Sequence, residues 1–286
     1  MELNGSRTEK NLRAALADES QARNSYVFFA EQAKRMELPL VADVLLEIAQ
    51  NEEEHARHFF QFLGGPQDVA QNLETSARKE HEEHTTFYPD FAQTAREEGF
   101  EAIAGFFEKM IQVERRHEEI CRDLARNLLE NAPIPARTVG HSAITLAEVM
   151  LPNQANRAGN IHGGEIMKLM DSAAGVVAAR HCHCNCVTAR VEELNFLKPI
   201  KVGDLVFAHA FLTFVSRSSM EICVEVETEE RFTEMRQKAL TARLIFVALD
   251  PSGKSAEVPP LLITTEEREK YFEEGRKRHE ARKKSG

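Results

Sequence analysis

The chain contains no tryptophan, only three tyrosines, and five cysteines in 286 residues. The cysteines (Cys121, Cys182, Cys184, Cys186 and Cys223) are odd in number and include no Cys-x-x-Cys pair. That pattern excludes a disulfide framework and a tetrathiolate metal ribbon, so reduced thiols are expected. The run from His181 to Cys186 packs soft donors together. Its Cys-x-Cys-x-Cys spacing has no second cluster to complete a site, so no metal is assigned to it. No apolar stretch approaches the roughly 18 residues needed to cross a bilayer. The opening MELNGSRTEKN lacks the apolar core of a secretion signal, and a cytoplasmic location without membrane association is expected. Positive charge is also short, with 36 Lys and Arg against 46 Asp and Glu, a net charge of −10. This balance speaks against a nucleic-acid partner, although the last segment is locally basic.

The composition is that of a folded protein, with 42% hydrophobic and 29% charged residues, and the length allows two domains with separate cores. Up to about residue 131 apolar positions recur at intervals of three and four, as in Val41, Val44, Leu45 and Ile48, which predicts helices. Pro39 suits the first turn of a second helix, Gly64-Gly65-Pro66 ends it, and Gly99 divides a third long helix from a fourth. Pro133 and Pro135 cannot continue a helix and place a linker at 132–140. From 141 to 286 the pattern is β-rich: strands at 144–151, 187–197, 204–215, 220–229 and 238–249, one apolar helix at 164–181, and a charged helix at 264–284. The fold class expected is an α domain followed by an α+β domain, the latter an antiparallel sheet around a central helix.

Seven metal-capable side chains fall on the four helices: Glu19, Glu52, His55, Glu80, Glu83, Glu114 and His117. Both histidines stand in Glu-x-x-His units, and residues three apart share a helix face. A single glutamate is more often a solvated surface group. The whole set, however, has the form known for ferritin-like carboxylate proteins, a Glu from each of two helices and Glu-x-x-His from the other two. Through the strings DESQARNSY, NEEEHA, EHEEHTTFYPDFAQTAREEGFEAIA and VERRHEE, residues 5–130 resemble the ferritin-like four-helix bundle of rubrerythrin. The resemblance implies domain 1–131, the seven residues as ligands of two iron ions, Tyr26 and Tyr88 as neighbours orienting those ligands, and peroxide reduction. A carboxylate-rich set suits iron or manganese better than zinc. The paired Cys-x-x-Cys loops of a rubredoxin module are absent, so turnover would need an external electron donor such as a rubredoxin. Without one, the bundle is expected to bind iron, sense, or serve assembly.

The strings LPNQANRAGNIHGGEIMKLMDSAAGVVAARH, VTARVEELNFLKPIKVGDLV and SRSSMEI resemble hot-dog acyl-CoA thioesterases, most closely the brain-type acyl-CoA hydrolases, over about 141–284. Gly163 and Gly164 open the apolar helix, where unobstructed backbone N–H groups and the helix dipole can meet a developing oxyanion. Asp171 is the only acid between Ile166 and Val191, and a buried carboxylate there needs a task or a partner. It is read as general base, with nucleophilic attack as the alternative, and Asn160 as the partner positioning water or carbonyl. Arg190 and Arg217 are candidates to meet CoA phosphates. The resemblance also implies an active site shared between two copies, hence a homo-oligomer, a dimer or a trimer of dimers. The alternatives are a thioesterase whose helical bundle is only an iron-binding or assembly module and a non-catalytic acyl-CoA-binding sensor.

Overall fold

The computed structural model describes residues 2–130, 136–230 and 236–285. The predicted linker's proline-rich start, 132–135, lies outside the described residues. The chain divides into two compact units, Met1–Arg78 with Cys121–Leu129, and Lys79–Ile120 with Glu130–Gly286.

In the first unit α1 (Arg7–Arg35) and α2 (Pro39–Phe62) form a helical hairpin. Ser6 caps α1 by accepting from the Glu9 N–H at 3.0 Å, while the Glu9 carboxylate reaches back to the Gly5 N–H at 2.6 Å. Together they satisfy orphan donors at both sides of the cap. Pro39 starts α2, and the buried contact between the two helices is made by Ala30, Ala33 and Ala42 with Leu45 and Leu46 beside them. The third helix begins as α3 (Val69–Glu82). It does not continue as the single segment expected. A π turn, Glu83–Phe87, interrupts it, with the Tyr88 N–H bonding five residues back to the Glu83 carbonyl, before α4 (Tyr88–Glu97) resumes. Such widened turns are often found at functional sites. Gly99, at φ +84, makes the left-handed turn into α5 (Glu101–Leu129).

The second unit contains a five-stranded antiparallel sheet in the order β2 (Ile144–Val149), β4 (Leu205–Val215), β5 (Ser219–Glu229), β6 (Arg236–Leu249), β3 (Asn185–Phe196). The predicted strands are found within a few residues of their expected ends. A two-residue pair, β1 (Arg137–Thr138) with β7 (Leu261–Leu262), and the short α6 (Val139–Ser142) were not foreseen. The apolar helix α7 (Gly163–Cys182) lies against one sheet face, where Val206, Ala208, Ala210 and Leu212 of β4 alternate with outward residues and meet Ile166, Met170, Ala173 and Val177. This is the period-two pattern of a strand with one face on the core.

The charged helix α8 (Glu266–Ser285) covers the opposite face rather than standing free. Phe214 packs on Phe272 with ring centroids 5.1 Å apart, and Phe211 on Tyr271 at 5.4 Å. Glu221, 1% exposed, is gripped by Arg278 at 2.7 Å and Arg282 at 3.2 Å. Gly275 permits the approach, because a Cβ there would lie 2.6 Å from Phe214 Cβ. Strand β3 forms one edge of the sheet, with Val187, Val191 and Phe196 exposed and two register irregularities along its pairing with β6.

Candidate functional site

The helices gather six of the seven predicted metal ligands into two trios. In the first compact unit, ligand atoms of Glu19, Glu52 and His55 all lie within 4.8 Å of one another. His55 Nδ1 is 2.9 Å from Glu52 and 3.8 Å from Glu19. The Glu19 carboxyl is held above the ordinary carboxylate range by its hydrogen bond to Glu52, then by burial and Glu52's charge. In the second unit, Glu80, Glu114 and His117 form an equivalent trio, with His117 Nδ1 2.8 Å from Glu114. Burial, followed by the bond to Glu114 and the charges of Glu114 and Glu83, pushes Glu80 up to about 7. Glu83 itself stands by Lys79, 3.3 Å away. Carboxylates pressed together raise each other's affinity for a proton, and a cation between them would remove that repulsion. Two carboxylates and an imidazole in each trio suit an oxygen-preferring transition metal such as iron.

The two tyrosines differ. Tyr88 stacks on Phe107 at 5.9 Å, and its phenol is raised above its ordinary value by burial and then by Glu114, Glu83 and Glu80, which places it in the field of the second trio. Tyr26 packs edge-on against Phe29 at 6.4 Å. The sequence reading overlooked His81 and His84, which flank Glu118 at 3.0 and 2.6 Å. His117 Nε2 is 3.3 Å from the carbonyl of Thr264, and Arg116 pairs with Glu269 at 2.9 Å, so α5 meets the start of α8 inside the second unit.

At the start of α7 a cavity of about 380 Å³ is lined by Asn156, Asn160, Ile161, Gly163, Phe196 and Lys198 among others. Of the residues expected to act together, Asn160 and Gly163 share this cavity. Asp171, two helical turns on, is not among its lining residues. Asp171 is exposed in this chain rather than buried, at the margin where α7 passes the edge strand β3. Its partner is Thr188 of β3, whose hydroxyl donates to Asp171 Oδ1 at 2.6 Å. The Gly164 N–H is not open as expected. It donates to His162 Nδ1 at 3.0 Å, the side-chain cap of α7. Asn156 Oδ1 accepts from the Ala158 N–H at 2.9 Å and the Asn160 N–H at 3.3 Å. Arg190 and Arg217 are both exposed, and Arg190 pairs with Glu192 at 3.3 Å. Sequence reasoning missed Thr188 and Asn156. Neither carries a signal by itself, since polar residues are ordinary on an edge strand and in a turn.

Comparison with known proteins gives two matches along the chain. The family model described as Rubrerythrin matches residues 10–125, and that of the Thioesterase superfamily matches 158–233. The rubrerythrin of Nitratidesulfovibrio vulgaris is 44% identical over 141 residues, covering 45% of this chain and 74% of that protein. The cytosolic acyl coenzyme A thioester hydrolase of Homo sapiens is 38% identical over 159 residues, covering 55% of this chain but only 41% of that longer protein. Among solved structures, an apo-hexameric acyl-CoA thioesterase aligns with a TM-score of 0.51 at 32% identity, covering 52% of this chain and 96% of that one. The acyl-CoA hydrolase of Staphylococcus aureus, solved with butyryl coenzyme A and coenzyme A, aligns at 0.50 and 29% identity, covering 53% and 92%. Variants of that hydrolase with an aspartate, an asparagine or a threonine replaced by alanine have also been solved.

Proposed function

Because the chain belongs to the rubrerythrin family in its helical segment and to the thioesterase superfamily in its β-rich segment, we propose that the β-rich domain, 141–286, hydrolyses acyl-CoA thioesters to CoA and free carboxylic acid. The observation that carries this reading is the Asp171 carboxylate held by Thr188 on the open side of α7, with an asparagine-lined cavity at that helix's start. The intervals separating Asn156, Asp171 and Thr188 are those separating the asparagine, aspartate and threonine replaced in the Staphylococcus aureus hydrolase.

Asp171 takes a proton from water, and the resulting hydroxide adds to the thioester carbonyl carbon. The C–S bond then breaks, and the departing CoA sulfur receives the proton from Asp171. Thr188 donates to one carboxylate oxygen and so fixes which oxygen is free to act as base. The oxyanion is met by a side-chain amide and by the Gly163 N–H at the start of α7. Of the two asparagines, Asn156 suits this role better than Asn160. Its Oδ1 is committed to two backbone N–H groups, so the amide nitrogen is the end left to donate. Asp171 lies outside the cavity of its own chain, so a second copy completes the site, and Arg190 and Arg217 remain the candidates to meet CoA phosphates.

For the helical segment, 1–131, we propose that Glu19, Glu52 and His55 hold one iron ion and Glu80, Glu114 and His117 another, with Glu83 beside the second set and Tyr88 near it. Iron held there would supply two electrons to peroxide, whose O–O bond breaks with uptake of two protons to give two waters, and an external donor would restore those electrons. The chain's own residues position and neutralise the ions, and Tyr88 offers a hydroxyl proton within the carboxylate field. The second reading is an iron-binding or assembly module without turnover, and iron retained by a protein that does not consume peroxide would favour it. The deciding experiment measures CoA release from acyl-CoAs of graded chain length on protein whose iron content is determined in the same sample. Hydrolysis with bound iron supports both heads. Iron without hydrolysis removes the thioesterase reading, and hydrolysis without iron removes the metal one.

A further inference from the structure

Four sulfur atoms converge where α7 hands over to β3, at the opposite end of the helix from the cavity. Helix α7 stops at Cys182 because His183 turns left-handed, φ 54°, and its N–H closes on the Ala179 carbonyl. The reversal brings Cys184 and Cys186 back onto the last helical turn. The Sγ atoms of Cys182, Cys184 and Cys186 all lie within 4.8 Å of one another, and those of Cys182 and Cys186 are 3.5 Å apart. The fourth sulfur comes from a different strand: Met220 Sδ, from β5, is 3.4 Å from Cys182 Sγ. Met220 is fully buried, whereas the three thiols are half-buried and so reachable from solvent.

Neither neighbouring histidine joins this set: His183, in the left-handed turn, has no ring nitrogen in the cysteine group. The ring of His181 is spent on other partners, Nδ1 on Ser142 at 3.1 Å and Nε2 on the Pro259 carbonyl at 2.9 Å. Sulfurs bound to one metal at about 2.3 Å in a tetrahedron stand roughly 3.8 Å apart, a spacing bracketed by the separations here. Thiolate together with thioether is the donor set of a soft cation, and a methionine in the set favours copper(I) over zinc.

We propose that Cys182, Cys184, Cys186 and Met220 form a binding site for copper(I). Binding exchanges thiol protons, released to solvent, for bonds to the ion, and no electron is transferred. The Cys-x-Cys-x-Cys spacing alone fell short of a site, and the fold supplies the missing donor through Met220. Nothing in the proposed hydrolysis uses these residues.

The test uses the full chain, kept reduced and titrated with copper(I) held by the coloured chelator bicinchoninate. The wild-type protein is expected to capture a single ion per chain, read as loss of the chelator's colour. Cys182→Ser and Cys186→Ser are expected to lose that capture, Met220→Leu to weaken it, and Cys121→Ser to leave it unchanged. X-ray absorption at the copper edge should then show sulfur neighbours only. Thermal melts followed by circular dichroism on the Cys182→Ser, Cys186→Ser and Met220→Leu proteins, expected to be as cooperative as the wild type's, establish that these variants are folded. Failure of the wild-type chain to take copper would overturn the proposal. So would equal capture by folded Cys182→Ser and Cys186→Ser proteins, or nitrogen and oxygen neighbours in the absorption spectrum.

Discussion

His181 is 0% exposed and makes two hydrogen bonds, so the imidazole is a neutral connector between α7, α6 and the Pro259 segment. Burial, and after it the nearby Arg137, His141 and His183, hold its pKa below the ordinary 6.5, with only the Pro259 carbonyl pulling the other way. A histidine whose folded pKa is depressed contributes stability that is present above 6.5 and lost as pH falls below it, since the unfolded chain takes up a proton that the folded one refuses. Urea denaturation across about pH 7.5 to 5 should therefore show a fall in stability that is shallower in His181→Gln. The proposed catalytic residues make a second prediction at this scale. Asp171→Ala should lower CoA release by about 10²–10⁴-fold, the contribution usual for a general base. Asn156→Ala should cost more activity than Asn160→Ala, and the reverse order would return the amide role to Asn160. Asp171 and Gly163 stood out in the sequence because their types are unusual at those places in an apolar helix, whereas the N–H of Gly164 is taken by the His162 cap. Thr188 became visible only when β3 laid it against the helix.

Helix α8 shows what an element's sequence leaves open. Its charges run along its whole length, so a solvated or a docked helix were equally consistent with the pattern. What decides is outside it: Glu221, on the outward side of β5, would be penalised by burial, and Arg278, Thr213 and Arg282 more than offset that penalty and bring its carboxyl below the ordinary 4.5. This stability is present above 4.5 and lost as pH falls through the lowered folded value. Glu221→Ala should cost about 3 kcal/mol, at the low end for a broken buried pair because both arginine heads are partly exposed. Gly275→Ala is a sharper test. Alanine is the better helix former by about 1 kcal/mol, yet its methyl would meet Phe214, so net destabilisation of about 1–3 kcal/mol is expected in urea melts. The interrupted third helix was likewise unreadable, since a π turn has no sequence signature comparable to proline or glycine, and the apolar period continues through it.

For the molecule as a whole, the prediction is self-association. Edge strand β3 presents Val187 and Val191 to solvent, and the helices expose Phe28, Phe29, Val41, Val44, Phe91 and Phe106. An uncovered strand edge and apolar side chains in this number are surfaces that a second copy would bury. Sedimentation equilibrium should show a dimer or a multiple of one. Ala189→Pro on the β3 edge should dissociate it and abolish CoA release together, whereas a monomer with full activity would remove the shared-site proposal. The sequence by itself determined the fold class, a helical segment followed by an antiparallel sheet with a helix, the kind and order of nearly every element, and which helix faces carry the clustered carboxylates and histidines. These follow from local rules: the period of apolar residues, glycine and proline at the breaks, and side chains three apart sharing one helix face. Tertiary structure alone decided that Glu221 is buried, that Asp171 is held by Thr188, and that Met220 joins three cysteines. Each of these depends on which residues distant in the chain are brought within a few ångströms, and local pattern carries no information about that distance.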